Sequence, residues 1–260
     1  MRGKPGRRAF ILVVACFALA AVAGASPVNT LDDILQLNAQ SRGGAQALRS
    51  VHAIRLEVHL EEPTFTVTGT YVASRDGYVR VDVYAGEQRV FSEALGPKGG
   101  WQRHGGSDEI LPLSPEGAAA LERGRISNLY ALFEWPQLGY RLALRPDSPD
   151  SHWVITATVP DGFQKQLWLD RGSHRIVRQY EISALHPDID TTELEQYSET
   201  SDWNDATGVA IPSVTRRIER ASGETLQVSR VLKVEILDAD TAGTTSWAAP
   251  DYFLAPDMED

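Results

Sequence analysis

The 260-residue chain has little sulfur and is short of positive charge. It holds one cysteine and two methionines, and 25 Lys and Arg stand against 35 Asp and Glu for a net charge of −10 at pH 7. The lone Cys16 can close no disulfide within the chain, so stability has to come from burial. The acidic balance argues against nucleic acid or an anionic membrane surface as a partner, because both require clustered Lys and Arg. Long apolar runs are missing too. The longest, Ala9 to Ala23, covers about 15 residues against the roughly 20 that span a bilayer, so no stable membrane insertion is expected.

Catalytic signatures are absent as well. There is no Gly-x-Ser-x-Gly elbow, no His-Glu-x-x-His and no glycine-rich loop between a strand and a helix. His52, His59, His104, His152, His174 and His186 are scattered without metal-ligand spacing. Asp188, Asp190, Glu193, Glu195 and Glu199, and likewise Asp202, Asn204 and Asp205, are rich in oxygen ligands but do not follow a calcium-loop spacing. They read as solvated strand and turn residues. No enzyme activity, cofactor or metal is therefore expected.

What is present begins with an address. Arg2, Lys4, Arg7 and Arg8 precede the apolar stretch, and Ala23-Gly24-Ala25 is a small-residue cleavage site, which predicts export with residues 1–25 removed. Arg7-Arg8-Ala9-Phe10-Ile11 leaves twin-arginine export open beside the general route, and Val13-Val14-Ala15-Cys16 leaves open lipid attachment at Cys16. Cleavage after Ala25 leaves 21 of the 25 Lys and Arg against all 35 Asp and Glu, a net charge of −14. The expected location is the periplasm, and residues 26–260 are expected to form a single domain.

That domain opens on a helix. Thr30 and Asp33 form a capping box, Leu31, Ile34 and Leu35 share one face, and Gly43-Gly44 interrupts before a second cluster of Ala45, Leu48 and Val51. From His52 the period switches to two, with Ile54, Leu56, Val58 and Leu60 on one face and Arg55, Glu57, His59 and Glu61 on the other. Phe65, Val67 and Tyr71 alternate with threonines, and Val79, Val81 and Val83 with Arg80 and Asp82. Turn signals at Asp76-Gly77, Ala85-Gly86 and Lys98-Gly99-Gly100 separate these runs as antiparallel hairpins. Alternation resumes beyond residue 150 and continues to Ile236. The pattern predicts a mainly β (α+β) fold of about ten or eleven strands, in a strongly curved antiparallel sheet or open barrel.

Between the strand blocks lies one helical insert, about residues 114–136. Ser114 is an N-cap with Pro115 at the first helical position, and Trp135-Pro136 ends the segment. Ile126, Leu129, Tyr130, Leu132 and Phe133 form a broad apolar stripe, which suits either a permanent plug of the sheet's core or a movable lid over an apolar cavity. Trp101 and Trp168 are expected to support the core.

The order of elements, together with several short stretches, resembles the LolA-like carriers of outer-membrane lipoprotein sorting. The stretches are Ala39 to Ser50 with Arg42-Gly43-Gly44, Gly69 to Arg80, Gly96 to Trp101, Leu167-Trp168-Leu169-Asp170, and Gly208-Val209-Ala210-Ile211-Pro212. The resemblance implies an unclosed barrel covered by helices, whose concave apolar face takes lipid or lipoprotein acyl chains. It places Ile126, Leu129, Tyr130, Leu132 and Phe133 on the lid, and Phe65, Val67 and Tyr71 on the sheet opposite. In that family an arginine after the second strand holds the lid by bonding helix carbonyls, and Arg75 occupies that position. Where the family often has proline next, this chain has Asp76, which could pair with Arg75 and draw it away. A different reading keeps the helices as filling and gives the surface to contacts with envelope proteins.

Overall fold

The structure, a computed structural model, describes residues 30–107 and 109–238; the expected leader, its cleavage site and Cys16 lie outside the described residues. Two short helices come first, α1 (Leu31–Ser41) and α2 (Ala45–Ser50). Thr30 and Asp33 form the expected capping box, the Thr30 hydroxyl accepting from the Asp33 amide. Between the helices Gly43 packs so tightly against Gly208 that any β-carbon would strike its carbonyl oxygen, and its φ of 109° also favours glycine.

Six strands follow: β1 (Ala53–Glu62), β2 (Phe65–Ser74), β3 (Val79–Ala85), β4 (Gln88–Gly96), β5 (Gly99–His104) and β6 (Leu111–Pro112). Helix α3 (Pro115–Leu129) and a 3-10 turn, Leu132–Leu138, come next. The second strand block comprises β7 (Arg141–Leu144), β8 (His152–Thr158), β9 (Gln164–Asp170), β10 (Ile176–His186), β11 (Asp190–Asn204), β12 (Ile211–Glu219) and β13 (Thr225–Leu237). Thirteen strands replace the expected ten or eleven. The two shortest, β6 and β7, have two and four residues, too few for alternation to register.

All thirteen form one antiparallel sheet in the order β6-β5-β4-β3-β2-β1-β13-β12-β11-β10-β9-β8-β7. Every neighbour is a hairpin partner except at the centre, where β1 pairs with β13, Ile54 opposite Ile236 and Leu60 opposite Ser229. The edges β6 and β7 are the two strands that the insert connects. Laid flat, thirteen strands would separate those edges by about 58 Å, while a 15-residue helix covers about 22 Å. A curled, unclosed barrel resolves the mismatch, with α3 packed against β2, β3 and β4 and the 3-10 turn against α1 and β7.

Two apolar clusters fill the space between the sheet and the helices. One joins Ile34 and Leu35 of α1, Ile126, Leu132 and Trp135 of the insert, and Trp153, Ile155, Leu167 and Leu169 of β8 and β9. The other joins Leu48, Ile54, Leu56, Ala73, Val79, Leu129, Ala131 and Ile211. The alternation that predicted the strands also sets these faces, since every second residue must point to the helices.

Candidate functional site

The insert differs from the single amphipathic run that its stripe suggests. Ser114 caps α3 by accepting from the Gly117 amide at 2.9 Å, and the helix stops at Leu129 because Tyr130 turns extended. The stripe therefore crosses a helix, a turn and a 3-10 segment that itself contains Pro136. Ile126 and Leu132 enter one apolar cluster and Leu129 the other, all at 3% exposure or less. Tyr130 and Phe133 are packed against both. Opposite them, Tyr71 packs against the cluster that holds Leu129. Val67 is buried outside the two clusters, and Phe65, 45% exposed at the β1–β2 turn, is not brought to the insert.

Arg75 lies at the C-terminal end of α3. Its Nε donates to Val51 O at 2.8 Å, and one terminal nitrogen reaches Leu48 O at 3.1 Å and Leu129 O at 3.2 Å. Both terminal nitrogens meet the Glu134 carboxylate, at 2.9 and 3.2 Å, while that carboxylate also accepts from the Ala131 amide. The guanidinium lies 4.2 Å from the centre of the Tyr130 ring, and the Tyr130 hydroxyl donates to the Arg75 carbonyl. A guanidinium has a planar fork of donors, and here it joins α2, the end of α3 and the 3-10 turn at one point. Asp76 instead lies 2.9 Å from His52 Nε2. Arg80 pairs with Asp82 at 2.8 Å. Arg125 adds a second tie, donating to Ser74 O at 3.0 Å while gripping Glu122.

The residue holding the other end of α3 stands in the sequence only as one member of an acidic stretch. Asp188, in the β10–β11 turn, is not solvated as expected. Its carboxylate accepts from the Ser114 amide at 2.7 Å and from Gln102 Nε2 at 3.1 Å. A β-carbon on Gly117 would collide with it. Negative charge at a helix N-terminus is favourable, and this one comes from a hairpin 74 residues away. Near the same turn, His186 Nε2 lies 2.9 Å from Glu62, which also accepts from Gln227. Three of the other acidic candidates are paired across strands or loops: Glu195 with Arg220, Glu199 with Arg178, and Asp205 with Arg175. Among the described residues no group of three or more His, Asp or Glu side chains is arranged to hold a metal ion.

Polar groups also occur within the apolar space. The Tyr71 hydroxyl is buried without a well-formed hydrogen bond, with Asn128 of α3 beside it, and burial pushes it up to about 12. Lys165 of β9 is 4% exposed, on the same face as Leu167 and Leu169. Of two surface clefts, of about 480 and 240 Å³, the larger is lined by Lys165 together with Phe163, Gln166 and Tyr180, and no residue of the insert lines either one.

No family model matches the sequence, and no curated protein matches it. Solved structures do match in fold. A LolA superfamily protein from Nitrosomonas europaea superposes with a TM-score of 0.55 at 14% identity, covering 85% of this chain and 100% of its own. A DUF1329 family protein from Desulfovibrio piger superposes with a TM-score of 0.53 at 12% identity, covering 79% of this chain and 92% of its own. The fold is LolA-like.

Proposed function

We propose that this protein is a non-enzymatic periplasmic binding protein for acyl chains of lipids or lipoproteins, with the insert as its lid. The observation that carries the reading is the Arg75 junction. The apolar stripe is fastened by a concentrated set of polar bonds to Leu48 O, Leu129 O and Glu134, which can be released together. The structure then corresponds to the closed state, in which Ile126, Leu129 and Leu132 occupy the space that a chain would take. Burial at about 25 cal/mol per Å² would be exchanged between lid and ligand with little net change, as reversible carriage requires.

Binding of a fluorescent acyl probe tests it. Arg75→Leu and Leu129→Ala weaken the closed state, so each should raise the probe's affinity or on-rate above wild type. One observation favours a second reading: Ile126, Leu129 and Leu132 are 3% exposed or less, within the range of the core residues. On that reading the insert is a permanent plug and the outer surface contacts envelope proteins. Absence of probe binding in wild type and in both variants would select it.

A further inference from the structure

Lys165 carries the next step, which rests on the acyl-binding reading above. Its register places it opposite Ala157 on β8 and Glu181 on β10, on the face that packs against the insert. The ammonium is 2.8 Å from Ser127 Oγ of α3 and 4.7 Å from the centre of the Trp135 ring. An ammonium has three donors, and among the described residues Lys165 forms one hydrogen bond and no ion pair. Glu181 comes near but is itself bonded by Ser183 Oγ, and Arg123, on α3, is held by Asp161 at 3.6 Å. Both partners of Lys165, Ser127 and Trp135, belong to the insert. If the insert lifts, a bare cation is left on an apolar wall, which is costly unless an anion takes their place.

We propose that Lys165 is the headgroup anchor of the cavity, and that the ligand is an acyl amphiphile with an anionic carboxylate or phosphate head. The head oxygen takes the position of Ser127 Oγ while the acyl chain replaces the apolar stripe. Burial lowers Lys165 to about 8, so it is still mostly protonated at neutral pH and able to pair with an anion.

The test is calorimetric titration of the full chain with dodecanoic acid, dodecyl phosphate, methyl dodecanoate and, as heads without chains, acetate and inorganic phosphate. Wild type should prefer at least one anionic amphiphile to the ester by on the order of ten-fold or more. The free anions should bind far more weakly. Whichever anionic probe wins identifies the head. Lys165→Met, of similar length and uncharged, should still bind the ester but lose the preference, and Lys165→Arg should keep it. Equal affinity for acid, phosphate and ester in wild type would overturn the anchor and leave acyl binding intact, as would a preference that survives Lys165→Met. Failure of every chain-bearing probe in wild type, Arg75→Leu and Leu129→Ala alike would overturn acyl binding and the anchor together, and probes bound only by a variant are compared in that variant. Should Lys165→Met not fold, the wild-type comparison still decides, with Lys165→Gln as the second neutral variant.

Discussion

Glu93 faces the insert side of β4, opposite Gln102, and burial followed by the nearby Asp188 carboxylate raises it to about 7 from an ordinary 4.5. Between these values the folded chain holds a proton that the unfolded chain has released. Its contribution is therefore complete below about pH 4.5 and lost as pH rises through 7, by up to about 3 kcal/mol. Glu93→Gln should flatten the fall in denaturant-derived stability across that window, and an unchanged slope would place the titration elsewhere. Trp168 calls for another estimate at this scale. Because Leu167 and Leu169 face the core, alternation turns Trp168 outward, where its ring meets Tyr197 edge-on at 6.1 Å. The same parity was available in the sequence, so the expected core role misread a legible signal. Trp168→Ala should cost about 1–2 kcal/mol in chemical denaturation, below the roughly 3–5 of a fully buried tryptophan.

Helix α3 is held at both ends by residues from other parts of the chain, Asp188 at its start and Arg75 at its finish. Gly117→Ala sets a methyl against the Asp188 carboxylate and should displace the β10–β11 turn, whereas Asp188→Ala removes the acceptor of the Ser114 amide. Each should lower thermal stability by about 1–3 kcal/mol. On the lid reading, each should also speed acyl-probe entry in stopped-flow traces. Local pattern could place the strands, the capping box and the Ser114-Pro115 start, because each depends on neighbours in sequence. It could not place the break at Tyr130. That break depends on Arg75 taking the Leu129 carbonyl and on Glu134 taking the Ala131 amide, and the arginine lies 54 residues from that carbonyl. Glu134 did leave one signal, as a charge embedded in Leu132-Phe133-Glu134-Trp135. Asp188 left none, since an acidic turn residue looks the same whether it is solvated or docked.

The sheet as a whole consists of two meanders, β1 to β6 and β7 to β13, joined in space by the β1–β13 pair and in sequence by the insert. Alternation predicts that strands exist but not which strand each will neighbour, so the central pairing was not legible in the sequence. The open-barrel expectation came from curvature and resemblance. A chain delivered from its N-terminus acquires β13 last among the described strands. Until then β1 and β12, of ten and nine residues, each present an unpaired strand edge, although both lie at the middle of the finished sheet. Such edges are templates for pairing with other chains. A chain ending at Glu224 should therefore scatter light as soluble aggregates instead of behaving as a smaller folded unit, while adding the peptide 225–237 during refolding should suppress the scatter. The last of the described strands thus acts as a built-in edge protector, since β13 alone covers the facing edges of both β1 and β12.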